Sequence, residues 1–393
     1  MSLTSVNYDR PISHSQRQTV WRIPANNKVY SPSIKIIDLI LKPNKASYWP
    51  ALVGAYSCIR SVQIRLDGKD ADYWNSKYAL PYMVAQRGGD NEHQQGMSAE
   101  LHATSNNLEY NSKTNHFDYD RKLVDGGLNG TKSSSVNMTV FSDLLQQIQV
   151  IDSALELIVN WETADNQMFL PVVADDPADE HDIQVPFLSY ETLNIEEQQP
   201  KVVYYKQWLS DSFNIPPTNN SQATVLKTEV ISTAFANKLV SKIMLINVPS
   251  SVDIGVPHQS IKELYNLMGA YMSVPMVQES FNVAIGGRNV YVFRGSSNDA
   301  IKMSITSDCW GGCALLSNGH FQAKETLVDG LGNSYNGFAS FGSAELNQRV
   351  LKQLQISYQR AGSGDGGALD ENLHIYCVGQ IQTSLQNLIK TDL

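Results

Sequence analysis

Charge is scarce in this chain, and cysteine is scarcer. Asp, Glu, Lys and Arg together make up 18% of the 393 residues, and the formal net charge is −9. Lys and Arg nowhere cluster, which argues against a surface that neutralises nucleic-acid phosphates, because each phosphate contact needs a nearby cation. The four cysteines, Cys58, Cys309, Cys313 and Cys377, are too few and too dispersed for a disulfide framework. They are expected as free, mostly buried thiols in a protein made in a reducing compartment. No apolar run approaches the roughly 18 residues that a membrane-spanning helix needs. The stretch Met1 to His14 is polar and lacks the apolar segment of a secretion signal.

Catalytic and metal-binding patterns are equally thin. Gly362-Ser363-Gly364-Asp365-Gly366-Gly367 spells G-x-G-x-x-G, but a strand follows it instead of the helix whose N-terminus would hold a pyrophosphate. It reads as a loop between strands. Cys309 and Cys313 form one C-x₃-C pair with only His320 nearby, short of the four ligands of a structural zinc. The acidic run Asp175 to Asp182, with His181, lacks the glycine and the ordered spacing of a calcium loop. No serine sits in a G-x-S-x-G elbow and no H-E-x-x-H occurs. The expectation is a protein that is not an enzyme, with no catalytic, cofactor-binding or metal-binding residues and no cofactor.

What the chain does have is strand patterning, and it has it twice. Val62, Ile64 and Leu66 alternate with Gln63 and Arg65, the period of a strand with one buried face. Asp67-Gly68 then supplies a tight turn, and Tyr73 and Trp74 resume an apolar segment. Phe281, Val283 and Ile285 repeat the alternation, followed by Gly286-Gly287-Arg288 and by Val290, Val292 and Phe293. Leu66 thus corresponds to Ile285, 219 positions on. Leu155, Leu157 and Val159 match Leu373, Ile375 and Cys377 at an offset of 218. Ile34–Leu41 has a third counterpart in Lys242–Val248. The pattern predicts two copies of one β-domain, and the length suits two domains of about 200 residues.

Along the chain, residues 1–20 read as an N-terminal arm without periodicity and 21–170 as the first domain. Pro24, Pro32, Pro43 and Pro50 speak for short strands there. Gln86 to Lys132 is too long for an ordinary connection and reads as an elaborated loop. Phe141 to Ile148 suits a short helix, as do Ile261–Met268 and Ala344–Leu354. Residues 171–200 hold eight acidic residues and no Lys or Arg, with Pro171, Pro177, Pro186 and Pro200. They read as an acidic connector between the domains, and 201–393 as the second domain. The aromatics Trp21, Tyr48, Trp49, Tyr73, Trp74, Tyr204, Tyr205 and Trp208 suit either core packing or a sugar-binding platform.

The layout resembles the double jelly-roll major capsid proteins of the adenovirus-hexon-like lineage, found in tailless icosahedral double-stranded DNA viruses, virophages and relatives. The residues that carry the resemblance are Ile64-Arg65-Leu66-Asp67-Gly68-Lys69 and Val283-Ala284-Ile285-Gly286-Gly287-Arg288. Val202-Val203-Tyr204-Tyr205 at the start of the second half and the runs 155–161 and 373–382 add to it. The resemblance implies an all-β fold of two tandem eight-stranded jelly rolls with short helices and long loops. It implies a major capsid protein whose homotrimers form pseudo-hexameric capsomers of an icosahedral shell, located in the virion. Its partners would be copies of itself, neighbouring capsomers, minor capsid or penton proteins and an internal membrane, but no sequence-specific nucleic acid. Residues 86–132 and 308–335 would be the outward towers. The alternative is a carbohydrate- or receptor-binding two-domain β-sandwich. A glycoside-active enzyme on the same scaffold needs two converging carboxylates, and Glu156 and Asp38 fall on outward positions.

Overall fold

The computed structural model describes residues 3–25, 27–45, 47–48, 58–75, 108–111, 116–119, 134–162, 170–171, 180–194, 199–215, 226–232, 234–249, 280–285, 288–294, 338–341, 354–360 and 373–386. The first half runs β1 (Leu3–Asp9), β2 (Ser13–His14), β3 (Gln18–Ile23), β4 (Val29–Leu39), β5 (Leu41–Pro43), β6 (Ser47–Tyr48), β7 (Ile59–Leu66) and β8 (Lys69–Asn75). It continues with β9 (Leu108–Asn111), β10 (His116–Tyr119), β11 (Ser134–Asn137), the helix α1 (Asp143–Ile148), β12 (Val150–Ile151), β13 (Leu155–Trp161), β14 (Leu170–Pro171), β15 (His181–Ile183) and β16 (Phe187–Leu193). The second half runs β17 (Val202–Ile215), β18 (Leu226–Ser232), β19 (Leu239–Pro249), β20 (Ser280–Ile285), β21 (Arg288–Arg294), β22 (Phe338–Phe341), β23 (Leu354–Arg360) and β24 (Leu373–Gln386).

Each half builds two antiparallel sheets, and the strand order is the same in both. In the first half the orders are β1-β16-β4-β11 and β3-β13-β7-β8, with β2 beside β3 and β12 also on β4. In the second half they are β17-β24-β19-β22 and β18-β23-β20-β21. Counting the eight principal strands of each half in sequence, one sheet reads first, eighth, third, sixth and the other second, seventh, fourth, fifth. This is the jelly-roll arrangement, in which the chain alternates between two sheets and its last strand returns beside its first. The fold is therefore two tandem eight-stranded jelly rolls, as the resemblance implies.

Period-two patterning builds the first core. Val29, Ile34, Ile36, Leu188 and Tyr190 are buried from one sheet, and Trp21, Ile23, Val62, Ile64, Leu157 and Val159 from the other. Full burial of each such side chain stabilises by about 1.5–3 kcal/mol before chain entropy is counted. The hairpin β7–β8 turns at Asp67 and Gly68, whose φ angles are 49° and 77°, the left-handed pair that a two-residue hairpin loop requires. Its tip is fastened from outside the hairpin: Asp67 N–H donates to Ala154 O at 2.8 Å and Ala154 N–H donates to Asp67 Oδ1 at 3.0 Å. Pro32 does not end a strand. β4 runs through it, and the β16 register jumps there from Ser189↔Lys35 to Glu191↔Tyr30. Ser33 Oγ fills the gap by accepting from Glu191 N–H at 2.8 Å and donating to Tyr30 O at 2.6 Å.

Several expectations need correction. Leu155–Val159 and Leu373–Cys377 are not counterparts: β13 corresponds in order to β23, and β24 corresponds to β16. The two runs matched because every half-buried strand shares one period. Connections of unequal length make the separation of true counterparts drift, from 221 positions (Ile59 to Ser280) to 186 (Phe187 to Leu373). The pairing of β7 with β20 holds, and so does that of β4 with β19.

The expected arm at 1–20 contains β1, the first strand of the first jelly roll, and the start of β3. The expected acidic connector at 171–200 contains β15, which pairs with β5, and β16, which lies between β1 and β4. Leu188, Tyr190 and Leu193 are buried; averaging the composition over the interval hid this alternation. The helix expected at 141–148 is α1. Within 86–132 the described residues form the hairpin β9–β10. Of the helix expected at 344–354 only Leu354 is described, and it is the first residue of β23. The rest of it, the helix expected at 261–268, the 308–335 tower candidate, Cys309, Cys313, His320 and the 362–367 glycine run lie outside the described residues.

Candidate functional site: the junction of the halves and the open sheet edges

The chain passes from the first jelly roll to the second under tight control. Gln199 is buried, and its Oε1 accepts from Asp152 N–H and Ser153 N–H, both at 3.1 Å. Gln199 N–H returns a bond to Asp152 Oδ2 at 3.3 Å. Three residues later β17 begins, with Val203, Tyr205 and Trp208 buried and Val202 and Tyr204 exposed.

Three consecutive residues of β17 then bond to the first half. Tyr205 Oη donates to Ala71 O on β8 at 2.5 Å, Lys206 N–H donates to Asp143 Oδ2 on α1 at 2.7 Å, and Gln207 Nε2 donates to Asp72 Oδ1 on β8 at 3.2 Å. Asp72 is only 6% exposed. It faces inward because a bulge intervenes on β8: Ile64 pairs with Asp72 but Arg65 with Asp70, leaving Ala71 as the extra residue. Asp72 also accepts from Ser142 Oγ at 2.5 Å and from Tyr73 N–H at 2.9 Å. Burial pushes its carboxyl up to about 7; the bonds from Ser142, Tyr73 and Gln207 oppose the rise, and the Asp143 charge adds to it. The Tyr205 phenol is raised first by burial and then by the Asp72 charge.

The outer surface carries a second feature. Among the described residues β1 pairs only with β16, and β17 only with β24, so both first strands are sheet edges. Both turn a Val-x-Tyr outward. Val6 and Tyr8 are 47% and 61% exposed on β1, and Val202 and Tyr204 are 43% and 65% exposed on β17. Ile12 and Val185 extend the exposed apolar surface near β1. An open edge with apolar side chains is a template for pairing unless another chain covers it.

Of the aromatics weighed as a sugar platform, Trp21, Trp74, Tyr205 and Trp208 are buried, and Trp74 stacks edge-on against Phe141 with ring centroids 4.6 Å apart. Tyr73 and Tyr204 are exposed, and nothing is described of the Tyr48 and Trp49 side chains. Glu156 lies on the outer face, where Arg65 bridges it at 3.4 Å and Asp70 at 2.7 Å. The Arg65 bond holds Asp70 below the usual carboxylate range. Asp38 takes a left-handed backbone, φ 53°. Among the described residues no three His, Cys, Asp or Glu side chains are grouped to hold a metal. No helix there is long and apolar enough to cross a membrane. Sequence reading missed Asp72; its signal was an acidic residue two positions before the core Trp74, in phase with it.

No protein-family model and no curated protein sequence matches the chain. Solved structures do. A chain of the Sputnik virophage, solved by cryo-EM, has 10% identity over 98% of this chain and 87% of its own, with a TM-score of 0.58. PBCV-1 VP54, as fitted into a cryo-EM reconstruction of the virophage Sputnik, has 10% identity over 99% and 96%, with a TM-score of 0.55. The mavirus major capsid protein has 11% identity over 98% and 89%, with a TM-score of 0.52. At such identities the likeness speaks for the fold, and it spans nearly the whole chain: this protein has the double jelly-roll fold seen in viral capsid chains.

Proposed function

We propose that the chain is a major capsid protein whose homotrimers form pseudo-hexameric capsomers of an icosahedral viral shell, and that it resides in the virion. The observation that carries this reading is the repeated strand order. Three chains with two equivalent sandwiches each place six similar units around one axis, which a single sandwich could do only as a hexamer. The likeness to the mavirus major capsid protein over almost the full length of both chains supports it. The exposed apolar edges of β1 and β17 supply surface for contacts between neighbours, and closed rings use such head-to-tail contacts. The division between the two jelly rolls falls between Leu193 and Val202, so the first domain takes in the residues read from sequence as arm and connector. Minor capsid or penton proteins and an internal membrane are the further partners this role implies. The protein serves by shape and not by catalysis, with no cofactor or metal.

Native mass spectrometry of the purified protein tests the reading. A species of about three times the chain mass, hexagonal in negative stain, is expected. A stable monodisperse monomer at micromolar concentration overturns it and favours the sugar- or receptor-binding sandwich, which a glycan array would then address.

A further inference from the structure

Asp72 is the one buried carboxylate among the groups that hold β17 to the first jelly roll, and its surroundings suit an acid better than an anion. Oδ1 accepts two N–H groups, from Tyr73 and from Gln207, while Oδ2 meets a single hydroxyl, Ser142 Oγ, at 2.5 Å. A protonated carboxyl can keep all of these partners: Oδ1 keeps both N–H bonds, and the Ser142 hydroxyl, which donates to Oδ2 of the carboxylate, turns to accept the acid hydrogen. An ionised carboxylate instead leaves a charge in a dry site. Among the described residues no Lys, Arg or His forms an ion pair with it. The groups packed around it are Asp143 on α1, whose charge repels it, the Tyr205 phenol on β17, and Lys206, which is joined to Asp143 through its backbone N–H. On its own strand Asp70 is turned outward and paired with Arg65, and Ile64 stands opposite on β7.

We propose that Asp72 is a proton-controlled pin between the two jelly rolls, which fastens β17 to the first half when protonated and loosens that junction when ionised. The direction follows from linkage. The folded-state carboxyl, pushed up to about 7 by burial, stands above its ordinary value of 3.8. The folded protein thus holds a proton that the unfolded chain has released. The stabilisation is fully present below about pH 4 and is lost as pH rises to about 7, at up to about tenfold in the folding equilibrium per unit. His181 acts in the opposite sense, because burial lowers it. The informative quantity is therefore the difference between wild type and a variant with the charge removed.

The test is chemical denaturation of the full chain between pH 5 and 8, wild type against Asp72→Asn, together with hydrogen exchange of the β17 amides. Asn keeps the Oδ1 acceptor and offers an N–H to Ser142, yet it cannot ionise. Wild type should lose up to about a hundredfold in folding equilibrium relative to Asp72→Asn between pH 5 and 7, and β17 should exchange faster at the higher pH only in wild type. Parallel profiles overturn the proposal. If Asp72→Asn does not fold, Ser142→Ala serves instead. Removing the hydroxyl that Oδ2 meets should move the pH at which stability levels off, and an unmoved profile overturns the pin as well.

Discussion

Trp161 on β13 donates its indole N–H to Thr19 Oγ1 on β3 at 2.8 Å, and both side chains are buried. Thr19 Oγ1 also meets His14 Nδ1 at 2.8 Å, and His14 Nε2 meets Ile183 O at 3.0 Å. A carbonyl can only accept, so Nε2 carries a hydrogen; in the neutral ring Nδ1 then accepts from the Thr19 hydroxyl. One hydroxyl thus ties together β2, β3, β13 and β15. Replacing it with an apolar isostere isolates the effect. Thr19→Val keeps the shape but leaves the indole N–H enclosed without an acceptor, which costs about 1–3 kcal/mol. Urea denaturation should show a midpoint lowered accordingly with an unchanged slope.

Deletion of residues 1–9 separates a loose arm from a structural strand. Removing β1 strips β16 of the ladder from Leu3↔Leu193 to Asp9↔Leu188 and of the Tyr190 Oη bond to Asp9 Oδ2 at 2.8 Å. The truncated protein should melt lower and aggregate sooner, because β16 becomes an unprotected edge. A dispensable arm would leave melting untouched.

The turn glycine offers a cleaner local measurement. A Cβ placed on Gly68 meets nothing within 4 Å, but its φ is +77°. Gly68→Ala should therefore cost about 1–2 kcal/mol from handedness alone. Gly68→Asn should cost less, since Asn tolerates that region. Equal losses for both in a thermal melt would point to a clash and not to backbone conformation.

How much the sequence disclosed depended on what each residue's own neighbours could reveal. The β7–β8 and β20–β21 hairpins were legible because alternation and turn chemistry sit within a dozen residues. β1 and β16 were not, because each becomes a strand by pairing with a partner more than 170 positions away. Asn7 and Asp9 stand in phase with the buried Tyr190 and Leu188, and Ser189 and Glu191 lie on the outer face, so polar residues dilute the apolar signal of both strands. The same dilution turned a core strand into part of a supposed connector. Asp72 was hidden because the bulge at Ala71 puts it out of phase with the outward Asp70 and the turn, so that only its phase with Trp74 marks the side chain as inward. Offset matching failed for β13 and β24 for a related reason: period two identifies a strand but not which strand it is.

The open edges carry the last prediction, which bears on assembly and not on folding. Tyr8 and Tyr204 stand exposed on the first strands of the two jelly rolls, each on a strand with a single described neighbour. In a ring of six sandwiches these counterpart strands occupy equivalent places, so each should meet a neighbouring sandwich. A lysine at either position puts a hydrated charge where an apolar contact forms, the device that natural edge strands use to stay unpaired. Neither side chain supports the core, so the melting of the isolated chain should change by no more than about 0.5 kcal/mol in stability. Tyr8→Lys and Tyr204→Lys should each weaken the trimer, and the double variant should run as a monomer in native mass spectrometry and light scattering. A double variant that still assembles with wild-type affinity would place the contacts elsewhere on the sandwiches. A variant that unfolds would show that these tyrosines serve the fold and not the capsomer.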